Sequence, residues 1–213
     1  MNVGIIGSGV VGQQLGIGMA RLGHEVKIGT RDPSKLVDWS KQAGEKSSVG
    51  SNEDAAQFGE ILILATGWEG TENALNLAGK KNFAGKVVMD VTNPLVHSKG
   101  APPHLDASPG SSGGEKIQAW LPESKVVKAF NIVNAYIMTA PHREEGDPDL
   151  FICGNDGAAK NQVTGLAEQW GWKKVIDMGD ITEAYWLEAL AMLWIHYGFK
   201  NNIWSHAFKL LKK

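Results

Sequence analysis

Short, almost unbroken apolar runs alternate along this chain with stretches whose apolar residues recur at helical spacing. The first run, Asn2-Val-Gly-Ile-Ile6, has the look of a strand buried on both faces. A glycine-rich turn then leads into a predicted helix over 10–22, with Val11, Leu15, Met19 and Leu22 on one face and Gly23 placed to end it. The same pattern predicts strands over 25–29, 47–50 (a weak one), 60–65, 86–91, 125–130, 149–153 and 173–177. Helices are predicted from Pro33 to about 43, from Asn52, over 69–80 and over 115–121. Another follows Gly154-Asn155-Asp156 to about 170, and a closing helix pair starts at Ile181. Such alternation predicts an α/β fold, a doubly wound, Rossmann-type and mainly parallel sheet. It makes one domain of residues 1–213, in which about 181–213 form a helical appendage beside the cleft. Only His97 to Gly114, rich in Gly, Pro and Ser, lacks an apolar period. Loops of that length serve as lids or binding loops, or are disordered.

Composition narrows the function. With 21 Lys+Arg against 23 Asp+Glu the formal net charge is -2, so no field draws in nucleic acid or an anionic membrane, and neither is an expected partner. The lone Cys153 rules out a disulfide framework or a multi-cysteine metal site and fits a reducing compartment. The histidines show no close ligand spacing, so no metal site is expected. The start of the chain reads as a strand rather than a leader. Its most apolar stretches, 61–66 and 187–195, fall short of the roughly 20 residues that span a bilayer. A cytoplasmic protein is expected. Glycine stands out, with 26 in 213 residues against an average of about 7%.

Several of those glycines form Gly7-Ser8-Gly9-Val10-Val11-Gly12, a G-x-G-x-x-G that follows a strand and opens a helix. In that setting the spacing suits a dinucleotide: a tight turn at Gly7, close approach of a pyrophosphate at Gly9, and helix packing at Gly12. The helix start offers unpaired N–H groups to the phosphates. An NAD site would carry Asp or Glu at the end of the second strand, but here stand Thr30-Arg31, with Lys35 one helical turn on. A guanidinium and a hydroxyl suit a 2′-phosphate that a carboxylate would repel, so charge favours NADP. The competing arrangement leaves Arg31 in solvent and has Asp32 reach the ribose.

The other strand ends carry Ala65-Thr66-Gly67-Trp68, Thr92-Asn93-Pro94 and Asn131 to Ala135. Trp68 is either an apolar wall or packing. Asn93 and Asn131 either orient a nicotinamide amide or substrate carbonyl, or serve their own turns. No Tyr-x-x-x-Lys pair and no G-x-S-x-G elbow occurs, and too little chain follows the sheet for a large helical domain bearing a catalytic lysine. The catalytic group is left unassigned. A cofactor site without acid–base machinery suits hydride transfer to a small-molecule electron acceptor.

Through Gly7 to Gly12, Ile28-Gly-Thr-Arg31, Thr66-Gly-Trp68, Val126-Val-Lys-Ala-Phe-Asn131 and Cys153-Gly154, nearly the whole chain resembles the small NADPH-dependent reductases of the deazaflavin coenzyme F-420. It is also similar to the cytosolic reductase domain of the six-transmembrane metalloreductases, notably around Asn93-Pro94 and Asn131-Ile132. The resemblance implies that Thr30 and Arg31 grip the 2′-phosphate and that the backbone near Asn134-Ala135 faces the nicotinamide. It implies C-terminal helices that shape an acceptor pocket, and a deazaflavin or flavin as co-substrate. Flavin-assisted reduction of a metal chelate or quinone, and a non-enzymatic NADP-binding sensor, stand as alternatives. Finally, Tyr185, Trp186, Trp194, Tyr197, Phe199, Trp204 and Phe208 supply more aromatic surface than one packed face needs, which predicts a homodimer.

Overall fold

The computed structural model describes residues 1–98 and 101–211. Its strands are β1 (Asn2–Ile6), β2 (Glu25–Gly29), β3 (Ser47–Gly50), β4 (Ile61–Leu64), β5 (Val87–Asp90), β6 (Leu95–Val96), β7 (His104–Leu105), β8 (Lys125–Lys128), β9 (Leu150–Gly154) and β10 (Val175–Asp177). The helices are α1 (Val10–Arg21), α2 (Val37–Ala43), α3 (Asn52–Phe58), α4 (Trp68–Ala78), α5 (Gly113–Trp120), α6 (Ala135–Met138), α7 (Gly157–Gln169) and α8 (Ala184–Asn201). Eight strands form one sheet in the order β10-β9-β8-β5-β4-β1-β2-β3. Every pairing is parallel except β8 with β9. That reversal follows from the connection. Between β8 and β9 stands only the four-residue α6 rather than a crossover helix, so the chain re-enters the sheet at the end it left.

The unbroken apolar runs are explained by burial on both faces. Ile61 and Ile63 of β4 join a core with α1, α2 and α7, while Leu62 and Leu64 join a second core with α3, α4, α5 and α8. Strand order reverses between β1 and β4, and ligands in such sheets bind outside the carboxyl ends of the strands at that point.

Two expectations are corrected. The chain's end is not a helix pair: α8 stops at Asn202, whose left-handed backbone (φ 52°) turns the chain, and no helix follows among residues 203–211. Instead Trp204 packs over Gly198, where a Cβ would come within 2.7 Å of its ring. The tail is pinned by Asp149 N–H to Phe208 O (3.0 Å) and by Trp194 Nε1–H to His206 O (2.8 Å), so His206 sits on a tail and not on a helix. The 97–114 loop is more regular than its composition suggests. Leu95–Val96 pairs antiparallel with His104–Leu105, Ser108 N–H and Ser111 bond across a turn, and Ser112 with Glu115 forms a capping box that opens α5 two residues early. The loop's Lys99 and Gly100, and the terminal Lys212 and Lys213, lie outside the described residues.

Candidate active site

The switch-point crevice is built on glycine. Gly7 holds φ 123°, and a Cβ there would sit 2.4 Å from Ala65 O. At Gly12 a Cβ would sit 2.0 Å from Gly7 O, so this glycine lets the first turn of α1 close on the loop itself. Gly9 differs, because a Cβ there meets no protein atom within 4 Å. No packing contact among the described residues demands glycine at that position, whereas a phosphate lying against the backbone would. The helix ends agree. Ser51, Ser112, Asn134 and Asp156 cap α3, α5, α6 and α7 with their side chains, but α1 and α4 start from Gly9 and Gly67 without a side-chain cap. The helices α2 and α8 also lack a side-chain cap, but α1 and α4 open on the crevice. There α1 keeps its first N–H groups free for an anion, and α4 keeps those of Trp68 and Glu69, while Gly70 N–H donates to Gly67 O (3.0 Å).

Gly7, Ser8, Gly9, Thr30, Arg31, Ala65 and Thr66 line a cleft of about 240 Å³. Ser8 Oγ donates to Thr30 Oγ1 (3.1 Å), and Asp32 N–H donates to the same hydroxyl oxygen (3.1 Å). Arg31 is exposed and makes no hydrogen bond or ion pair among the described residues. Asp32 faces elsewhere: its carboxylate accepts from Ser34 Oγ (2.5 Å) and Ser34 N–H (3.1 Å) to cap the turn at Pro33. The Ser34 hydroxyl, above all, holds that carboxyl below its usual range. Lys35 lies 3.7 Å from Asp32 and does not line the cleft. The geometry therefore favours the Thr30–Arg31 arrangement over an Asp32 that reaches the ribose.

Ala65, Thr66 and Gly67 also line a second, smaller compartment of about 160 Å³, so the two are contiguous. Val11, Trp68, Val91, Thr92, Asn93, Leu95 and His97 complete it. Trp68 is both wall and packing, stacked on Trp120 at 5.8 Å with Lys116 Nζ 5.7 Å from its ring centre. Asn93 and Asn131 are interlocked: Asn93 Nδ2 donates to Asn131 O (2.8 Å) and Asn131 Nδ2 donates to Asn93 Oδ1 (2.9 Å) and Leu187 O (3.1 Å). Asn131 is buried, and its Oδ1 has no hydrogen-bond partner among the described residues. Just before it, the fully buried Phe130 takes a left-handed backbone (φ 60°), a strain of roughly 1–3 kcal/mol for such a residue. Trp170 and Trp172 brace its ring edge-on.

Of the expected site residues, Val10, Gly12, Lys35, Asn131 and Ala135 line neither compartment. Val10 faces solvent, Gly12 packs under the loop, and Ala135 is buried at the start of α6, which Asn134 caps. The sequence reading missed Asn52, Gly70, Asn73, Ala74 and Leu77 along the first compartment, and Val91 and Leu95 in the second, where His97 begins the loop expected as a lid or binding loop. It also missed a buried ionic cluster beneath them, for which the signal was a charge inside each of three apolar runs. Lys128 Nζ stands 2.8 Å from Asp90 Oδ2 and 2.8 Å from Glu188 Oε1, with all three side chains at 0% exposure. Burial works against the Lys128 charge, but the two carboxylates outweigh it and raise its pKa. Burial likewise pushes the nearby Cys153 thiol up to about 12, so it is inert.

A doubly wound sheet whose switch-point crevice carries this glycine turn and a Thr-Arg strand end defines a Rossmann-type NADP-binding protein. Comparison with known proteins narrows the class. Residues 2–94 match the family described as NADP oxidoreductase, coenzyme F420-dependent. The F420-dependent NADP reductase of Methanocaldococcus jannaschii is 32% identical over 94% of this chain and 93% of that protein. A crystal structure of a putative F420-dependent NADP reductase from Arthrobacter sp. FB24 superimposes with a TM-score of 0.94 at 38% identity, over 100% of both chains. Metalloreductase STEAP3 of Rattus norvegicus is 28% identical over 89% of this chain but only 36% of that protein. The chain belongs to the F420-dependent NADP oxidoreductase family and is an NADP-dependent oxidoreductase.

Proposed function

We propose that this protein transfers a hydride between NADPH and a deazaflavin of the coenzyme F-420 type. The observation that carries the reading is the junction at Ala65-Thr66-Gly67, which joins a phosphate-ready cleft to a compartment walled by an indole and lined by neutral polar groups. Bound NADPH supplies the hydride. The free N–H groups of α1 hold the pyrophosphate, Gly9 leaves it room, and Ser8, Thr30 and Arg31 hold the 2′-phosphate. Thr66, Trp68 and Asn93 border the acceptor and keep water from one side of it. Lining titratable groups are limited to His97 among the described residues of that compartment. That suits hydride transfer to a deazaflavin better than oxidation of an alcohol or reduction of an imine, where a proton must also be moved at the oxygen or nitrogen.

The likeness to the metalloreductase favours one second reading, flavin-assisted reduction of a ferric chelate. Steady-state NADPH oxidation with coenzyme F-420, FMN, quinones and ferric chelates separates the two. Turnover with the deazaflavin alone is expected, and turnover only with flavin plus iron would replace this reading by the second. No helix among the described residues is long and apolar enough to cross a membrane.

The proposed assembly is a homodimer. Trp194 and Phe208 pack with the core, but Trp186, Leu193 and Tyr197 leave an exposed apolar stripe on α8, and the exposed Phe199 lies on another side of it, edge-on to Trp204. Light scattering at micromolar concentration is expected to give twice the chain mass, and the single-chain mass would refute it.

A further inference from the structure

We propose that Glu188 is a positioning residue for the acceptor compartment, acting through Lys128 and Thr92 on the interlocked Asn93–Asn131 pair. This rests on the reading above that the acceptor lies beside Asn93. The Lys128 ammonium donates to Thr92 O at 2.9 Å and is ion-paired at 2.8 Å with both Asp90 Oδ2 and Glu188 Oε1, which hold its charge in place. Asp90 Oδ1 takes the N–H (2.9 Å) and hydroxyl (2.7 Å) of the same Thr92. Glu188 also accepts from Gly113 N–H and Gly114 N–H, both at 3.0 Å, so the surplus negative charge of the cluster rests on the start of α5. Thr92 is therefore gripped at its N–H, its hydroxyl and its carbonyl, and Asn93 follows it directly.

A second thread runs from the same turn of α8. Leu187 O, one residue before Glu188, accepts from Asn131 Nδ2, whose other proton goes to Asn93 Oδ1. Position 187–188 of α8 thus fixes both members of the pair, one through the ionic cluster and one directly. The strained Phe130 between Lys128 and Asn131 fits the same purpose, since strain held by packing accompanies pre-organised sites. Stability alone does not call for such a cluster. Apolar side chains of equal volume commonly do as well or better than a buried ionic triad.

The test uses Glu188→Gln, which leaves a balanced Lys128–Asp90 pair, with Glu115→Ala as control. Glu115→Ala removes the capping box from the same end of α5 without touching the cluster. Two readouts are taken: hydrogen exchange of the Asn93 and Asn131 side-chain amides by NMR, and single-turnover hydride transfer from saturating NADPH. In Glu188→Gln, amide exchange is expected to rise and hydride transfer to fall by about tenfold or more, as loss of a charge-assisted hydrogen bond implies. NADPH affinity should hold within about twofold, because no phosphate-binding group moves. In Glu115→Ala both readouts should stay as in the unaltered protein. If Glu188→Gln does not fold, Asp90→Asn removes the other carboxylate that holds Lys128 against Thr92 O, keeps an Oδ1 acceptor for the Thr92 N–H and hydroxyl, and leaves a Lys128–Glu188 pair. Unchanged exchange, unchanged transfer despite faster exchange, or equal changes in Glu115→Ala would each overturn the proposal. Failure of the acceptor reading looks different: the unaltered protein then leaves the deazaflavin unreduced while the exchange difference persists.

Discussion

Arg31→Ala is expected to weaken NADPH binding by about ten- to a hundred-fold and to leave NADH almost untouched. Removing one charge-assisted contact to a phosphate costs about 1.5–3 kcal/mol, which is that range of affinity. The guanidinium is exposed at the cleft without a protein partner among the described residues, so its removal leaves no buried group stranded and the fold intact. Thr30 has a different standing, since its hydroxyl is held by Ser8 and by the Asp32 N–H. Nucleotide titrations by intrinsic fluorescence read the effect. Equal losses for NADPH and NADH would place the 2′-phosphate elsewhere.

The second large effect is on stability. Lys128→Met is expected to cost about 3–5 kcal/mol, because it strands two carboxylates in a site with no exposure. For a chain of this size that lowers Tm by roughly 10 °C. The contrast is Lys125, three residues earlier on β8, whose pair with Asp156 spans 3.4 Å between partly exposed groups. Lys125→Met is expected to change stability by at most about 1 kcal/mol. Calorimetric unfolding of the two variants side by side checks this. Equal Tm values would mean that the buried cluster is not charged as described.

Local features were legible in the sequence, and distant pairings were not. The Gly7 to Gly12 turn and Thr30-Arg31 are short continuous runs, so their residue types and spacing are visible in the sequence, although their contacts with Ala65 and Ser8 are not. Ile61 to Leu64 is readable as a strand because both its faces are buried. The direction of β9 is not, because an apolar run carries no polarity and only the short α6 reverses the chain. The two-residue strands β6 and β7 are too short to show a period. The closing helix was over-extended because Phe199, Trp204 and Phe208 keep to apolar spacing, while the turn at Asn202 and the fit of Trp204 over Gly198 are tertiary. Asn93 and Asn131 meet across 38 residues and Gly113 and Glu188 across 75, and no pattern of types along the chain announces such partners.

The central claim is direct hydride transfer from NADPH to a deazaflavin held beside Asn93 and Trp68. It is tested most directly by isotope. NADPH is prepared with deuterium on the transferring carbon of its nicotinamide, in each of the two stereochemical forms in turn, and the reduced deazaflavin is weighed by mass spectrometry. Full deuterium transfer from one form and none from the other is the predicted result. A reduced deazaflavin without deuterium from either form, or NADPH oxidation that waits for added flavin and ferric iron, would contradict it.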